Sequence, residues 1–184
     1  MAHHVTPFLG LPNATIFLAS GSVARQNILR SAGINFEILP VAIDETQVQA
    51  SALADDMMPE DIAVLLAFLK AQAASQRFVA KTKKLSGIYV IGADQILVCE
   101  GKIINKPATI TAAKDQLLCL AGKTHKLFSA IVLIRNGQRI WHYLAESALT
   151  MRYFDEVFAE SRKTPAEVGQ MLDEWLAGEE DSGQ

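Results

Sequence analysis

The sequence predicts an α/β domain, and three stretches predict it. Thr15-Ile16-Phe17-Leu18-Ala19 reads as a strand that passes through the small polar turn Ser20-Gly21-Ser22 into a helix. Ile88-Tyr89-Val90-Ile91 has the β-branched and aromatic content of a short buried strand. The apolar runs over 127–134 and 140–150 flank Asn136-Gly137, a strong short-range hairpin signal.

Composition narrows the class. Half of the 184 residues are hydrophobic, enough for a sizeable core and too many for a disordered chain. That length suits one domain, or two small lobes around one cleft. The 17 basic and 20 acidic residues leave a net charge of −3, and the basic ones are scattered. No clustered basic face is available to coat a nucleic-acid polymer, so any anionic ligand must be small and held by a few cations. Cys99 and Cys119 each lie in an apolar run without a C-x-x-C signature, and read as reduced core residues of a cytoplasmic protein. No apolar run approaches about 20 residues, so no membrane span is expected. Residues 1–12, opening Met1-Ala2-His3-His4, read as a tag-like leader.

Taken in order, the first helix should run from a serine cap to about Ala32, with Gly33 closing it and Ile28, Leu29 and Ala32 on one face. A strand, a tight Ser/Gly turn and a helix N-terminus make a natural phosphate site. Arg25 lies in the first helical turn, where the helix dipole disfavours a cation unless an anion binds; an exposed surface arginine is the plain alternative. Phe36-Glu37-Ile38-Leu39 resembles a second strand, followed by the acidic pair Asp44-Glu45. The polar, Ala-rich text over 47–57 reads as a loop. Pro59, with Glu60 and Asp61 behind it, opens the longest helix, whose apolar stripe is Ile62, Leu65, Leu66, Leu69 and Ala73. Lys70 stands at the edge of that stripe, close enough to reach a cleft or to snorkel into solvent.

The stretch over 88–98 organises the rest. The strand is expected to break at Gly92-Ala93, where small side chains leave room for another group to approach. Asp94 then stands alone among apolar residues, where an unpaired carboxylate is costly to ionise and bury. It should sit at a strand end beside a cleft, with a cation or metal for company; a turn cap is the alternative. After it, Ile96-Leu97-Val98-Cys99, Glu100-Gly101 and Lys102-Ile103-Ile104 form a hairpin that stops at Asn105-Lys106-Pro107. Thr109 caps a helix to about Leu120, with Ala113, Leu117 and Leu120 inward. Gly122-Lys123-Thr124 resembles the end of a P-loop, but Leu117 stands where the motif needs glycine, and a helix precedes it instead of following. His125 and His142 lack partners at metal-ligand spacing and read as structural.

Together the fragments Leu-Ala-Ser-Gly-Ser-Val-Ala-Arg (18–25), Ile-Asp-Glu-Thr (43–46), Leu-Ala-Phe-Leu-Lys-Ala (66–71), Ile-Gly-Ala-Asp-Gln (91–95), Asn-Lys-Pro (105–107) and Ala-Gly-Lys-Thr-His (121–125) resemble the Maf family of nucleoside triphosphate pyrophosphatases, within the Maf/Ham1 superfamily. The resemblance implies a single Maf-like domain over 13–176. Its fold would be a strongly twisted mixed sheet flanked by helices, with two lobes around a central cleft. It implies hydrolysis of a nucleoside triphosphate, non-standard or modified, to a monophosphate and pyrophosphate. Asp94 would be the general base, Lys70 and Lys106 would act with it on the phosphates, and Ser22, Ala24, Arg25 and Gln95 would contact substrate. Glu45 and Asp94 would hold Mg²⁺ or Mn²⁺. Each of these side chains has an ordinary structural explanation alone, but two carboxylates and three cations at element ends are the mixture that phosphoryl chemistry requires.

Two departures bear on substrate and activity. Where the family reads Ser-Pro-Arg-Arg, this chain has Val23 and Ala24 in place of the proline and first arginine. Position 24 is one that the resemblance assigns to base selection. Gln95 resembles the branch that favours 7-methyl-GTP, whereas pyrimidine-preferring members read threonine there. The second departure lies over 151–184. The family's Gly-Tyr-x-x-Gln-Gly segment gives way to Thr164-Pro165, an amphipathic helix around Val168, Leu172 and Trp175, and an acidic tail at Glu179-Glu180-Asp181. This end reads as divergent or truncated. The competing expectation is therefore a catalytically impaired nucleotide-binding regulator of cell division; the Trp175 helix is a candidate contact surface, with packing onto its own core the plain alternative, and a homodimer is a candidate assembly.

Overall fold

Strand β1 (Thr15–Leu18) lies between β2 (Glu37–Ile38) and β3 (Ile88–Cys99) and is parallel to both, with Phe17 opposite Glu37 and Val90. The computed structural model describes residues 14–82 and 87–153. Its six strands form one sheet in the order β2-β1-β3-β5-β6, with β4 (Lys102–Ile104) antiparallel to the end of β3. Strands β5 (Thr124–Arg135) and β6 (Gln138–Thr150) are the expected hairpin. Asn136 and Gly137, with φ of 51° and 80°, give the left-handed pair that a two-residue turn needs. The same chemistry closes β3 onto β4, where Glu100 and Gly101 have φ of 49° and 76°. Parallel and antiparallel pairs coexist, so the α/β mixed sheet flanked by helices is as expected.

The chain divides into two compact units. Among the described residues the first holds the chain up to Ile96 together with Phe128–Glu146. Its helices are α1 (Val23–Ser31), α2 (Glu45–Ala54) and α3 (Pro59–Thr82). The core of this unit joins Phe17, Leu18, Val90, Val132 and Ile134 of the sheet to Ile62, Ala63, Leu66, Ala67, Ala71 and Ala74 of α3. By length and composition α3 could cross a bilayer. Its buried face nevertheless lies on β3, as the core helix of a folded domain does.

The second unit holds Leu97–Leu127 and 147–153. Helix α4 (Ile110–Leu120) is capped by Thr109, whose side chain accepts from the Ala112 amide at 3.1 Å. Ala113, Leu117 and Leu120 pack with Cys99 and Met151, as the inward face of this helix predicted. Gly122, at φ +69°, ends the helix before β5, and Lys123 pairs with Glu100 at 3.0 Å, a surface contact rather than a phosphate loop.

Several expectations need correction. Residues 45–54 are helical instead of a loop. The Asp44 side chain accepts from the Gln47 amide at 2.9 Å, and the alanines behind it need no apolar stripe to propagate a helix. Strand β3 does not break at Gly92-Ala93, so Asp94 lies within the strand and not at its end. The small residues there make room for α3. On α3 the fully buried residues are mostly alanines, while Leu65, Leu69 and Ala73 are only half-buried. Cys119 is exposed and not a core residue, and Ile28, on the apolar face of α1, is exposed as well. The Trp175 helix and the acidic tail lie outside the described residues, as do residues 1–12.

Candidate active site

The first loop delivers Arg25 to the central strand. Ser22 is the cap of α1, with extended φ and ψ of −63° and 121°, and its Oγ accepts from the Arg25 amide at 3.4 Å. Ser20 is buried, and its Oγ accepts from the Ser22 amide and from Arg25 Nη1, both at 3.2 Å. The same Nη1 donates to the Ala93 carbonyl at 2.9 Å. The guanidinium thus lies against the backbone of the residue before Asp94. Ala24, in the first turn of α1, is exposed.

Helices α2 and α3 bring in the opposing charges. The Asp44 cap makes Glu45 the first residue of α2, where the helix dipole favours a carboxylate. Glu45 Oε1 is 2.8 Å from Lys70 Nζ, and the same ammonium hydrogen-bonds Asp94 Oδ1. The side chains of Lys70 and Asp94 are 12% and 6% exposed against 50% for Glu45, so this is an inner ion pair with a solvent-facing third member. Burial pushes the Asp94 carboxyl above its ordinary range; Lys70 pulls the other way, Glu45 adds to the rise, and Arg25 opposes it. Asp44→Ala should cost about 1 kcal/mol in a denaturant titration, because the α2 amides lose their cap, whereas Asp44→Asn keeps the cap oxygen and most of the stability.

Three elements, α1 with its loop, α2 and α3, therefore converge on residues 93–94 of β3. Ser22, Arg25, Glu45, Lys70 and Asp94 all belong to the first unit. Lys106 is exposed in the segment after β4 and belongs to the second unit. Gln95 leaves this group. As the next residue of an extended strand it points to the other face from Asp94, and its Nε2 donates to Ser129 Oγ at 3.0 Å. Ser20 and Ser129 were missed as partners. In the sequence Ser20 is only part of the small polar turn, and nothing local marks Ser129, which is brought in by β5.

Among the described residues no group of three or more His, Cys, Asp or Glu side chains is poised for a metal. The donor set still fits Mg²⁺ or Mn²⁺. Glu45 and Asp94 already aim carboxylate oxygens at one cationic atom, Lys70 Nζ, and Mg²⁺ commonly takes one or two carboxylates with phosphate oxygens completing its shell.

A family model described as "Maf-like protein" matches residues 15–166. The chain is 44% identical over 143 residues to a protein of Paramagnetospirillum magneticum named nucleoside triphosphate pyrophosphatase, covering 78% of this chain and 70% of that one. A protein of the same name from Caulobacter vibrioides is 41% identical over 145 residues, with 79% and 69% covered. A Mesorhizobium japonicum protein named 7-methyl-GTP pyrophosphatase is 38% identical over 143 residues, with 78% and 68% covered. With more than half of its length matched by the family model, and with relatives this similar, the chain belongs to the Maf family.

Proposed function

We propose that this protein hydrolyses a nucleoside triphosphate to the monophosphate and pyrophosphate, through one Maf-like domain spanning 13–176. The observation that carries the reading is Asp94, buried on β3, ion-paired to Lys70 and flanked by Arg25 and Glu45. Asp94 takes a proton from water as the water oxygen bonds to the α-phosphorus. The bond to the bridging oxygen then breaks, and pyrophosphate leaves with that electron pair. Arg25, Lys70 and Lys106 offset the charge that builds on the phosphate oxygens, and Ser22 with the start of α1 orients them. When bound by Glu45 and Asp94, Mg²⁺ or Mn²⁺ supplies further positive charge to those oxygens. The relatives' names support the reading.

A cytoplasmic location accords with the free cysteines Cys99 and Cys119. The test is pyrophosphate release from a panel of standard and modified triphosphates with Mg²⁺ or Mn²⁺. Turnover of at least one is expected. Tight binding of nucleotides without any turnover would instead support a regulator that has lost catalysis.

The finer proposal is preference for a modified purine triphosphate such as 7-methyl-GTP over UTP or dTTP. A glutamine at position 95 presents a longer donor and acceptor than threonine, and Ala24 adds neither bulk nor charge in the first turn of α1. The name of the Mesorhizobium japonicum relative supports it. Competing rates for 7-methyl-GTP and UTP on one preparation check it: faster 7-methyl-GTP turnover is expected, and faster UTP turnover rejects it.

A further inference from the structure

We infer that Ser20 is a positioning residue for Arg25, setting the guanidinium so that one edge is free for an anion. This rests on the proposed phosphate role of Arg25 and adds the group that makes that role geometrically possible. Arg25 Nη1 is held twice, by the Ala93 carbonyl at 2.9 Å and by Ser20 Oγ at 3.2 Å. Nε and Nη2 have no partner among the described residues. They form the side-on fork that matches two oxygens of a phosphate. A long side chain leaving the first turn of a helix has many rotamers, and one carbonyl fixes a position without fixing the plane. A second acceptor on the same nitrogen fixes both.

Ser20 is built for that task. It is 8% exposed, so its hydroxyl is not shared freely with solvent. Its Oγ also accepts from the Ser22 amide at 3.2 Å, which ties the turn to the same atom that holds the arginine. Both lone pairs are then spent within the protein, and the atom serves the loop and not the ligand. One hydroxyl thus links three things: the start of α1, the Arg25 side chain and, through Arg25, the strand position before Asp94.

The test is a double-mutant cycle read by steady-state pyrophosphate release, using the best triphosphate of the panel. Ser20→Ala should lower kcat/KM about tenfold, the scale of one hydrogen bond to a charged group, chiefly by raising KM. In an Arg25→Ala background the same change should have almost no effect, because the group it positions is gone. If the two single losses multiply in the double variant, Ser20 acts independently of Arg25 and the inference fails. It fails also if Ser20→Ala leaves kcat/KM unchanged. If Arg25→Ala alone changes nothing, the phosphate role of Arg25 fails, and that outcome is distinct from either failure of Ser20. Should Ser20→Ala not fold, Ser20→Cys keeps the volume with a weaker acceptor, and a loss that vanishes in the Arg25→Ala background is again required.

Discussion

Asp94→Asn should lose pyrophosphate release by about 10³-fold, the usual scale for removing a general base, while the variant stays folded. The loss falls on kcat, because the amide keeps the shape and the nucleotide still meets Arg25. Stability should move the other way. Burial raises the Asp94 carboxyl above its ordinary value of 3.8, with Glu45 adding to the rise, so the folded protein holds that proton more tightly than the unfolded chain does. Stability therefore falls as the pH climbs from 3.8 through the folded value, and the loss persists above it. Asparagine resembles the protonated acid and carries no such penalty, and Lys70 still has Glu45 as its partner. In the presence of a chelator, Asp94→Asn should unfold at a higher temperature than the parent near neutral pH. The gap should close as the pH drops below the ordinary carboxylate range. An Asp94→Asn protein that keeps full turnover overturns the assignment. One that is less stable at neutral pH shows that the Lys70 ion pair outweighs the burial of the charge.

Much of this site was legible because its parts leave local marks. Ser22 before a helical run, Pro59 with acids behind it, Thr109 three residues before the amide it caps and Asn136-Gly137 between apolar runs each obey short-range rules, and the structure follows them. Apart from α2, what escaped was set by tertiary contact. The helix at Glu45–Ala54 has no apolar periodicity to announce it, since alanines form helix without a stripe. The buried face of α3 keeps Ile62 and Leu66 of the expected stripe but runs on through Ala63, Ala67, Ala71 and Ala74 and not through Leu65, Leu69 and Ala73. Leucines carry the strongest apolar signal in the sequence, whereas the strand beneath admits only small side chains at closest approach. Asp94 was legible as a costly lone carboxylate, but its place inside a continuous strand depended on neighbours that end elsewhere. Pairing with β1 stops at Ile91 and pairing with β4 begins at Leu97. The same alternation that carries Asp94 toward Lys70 sends Gln95 to the opposite face. Adjacent letters in the motif therefore do not share one wall.

Gly92→Ala should destabilise the protein by about 3 kcal/mol, the upper end of the usual cost of overpacking, and lower turnover with it. A methyl carbon at Gly92 would lie 2.1 Å from the Ala67 carbonyl oxygen, 2.8 Å from Ala71 Cβ and 2.9 Å from the Ala71 amide nitrogen. Two of those atoms are backbone, so no rotamer change relieves them. Helix α3 must lift from β3 by roughly 1 Å or more to restore ordinary contact distances. Lys70 is next to Ala71 on that helix, and the lift draws its ammonium away from Asp94. A displacement of that size in a catalytic group can cost about 10²-fold in rate. The destabilisation corresponds to a fall of roughly 6–12 °C in Tm for a chain of this length. Ala71→Gly in the same chain removes only the methyl contact and leaves the Ala67 carbonyl in place, so it should recover little of either loss. Thermal unfolding and pyrophosphate release on the single and double variants measure both effects. A Gly92→Ala protein with unchanged Tm and turnover would mean that α3 does not rest on β3 at this glycine.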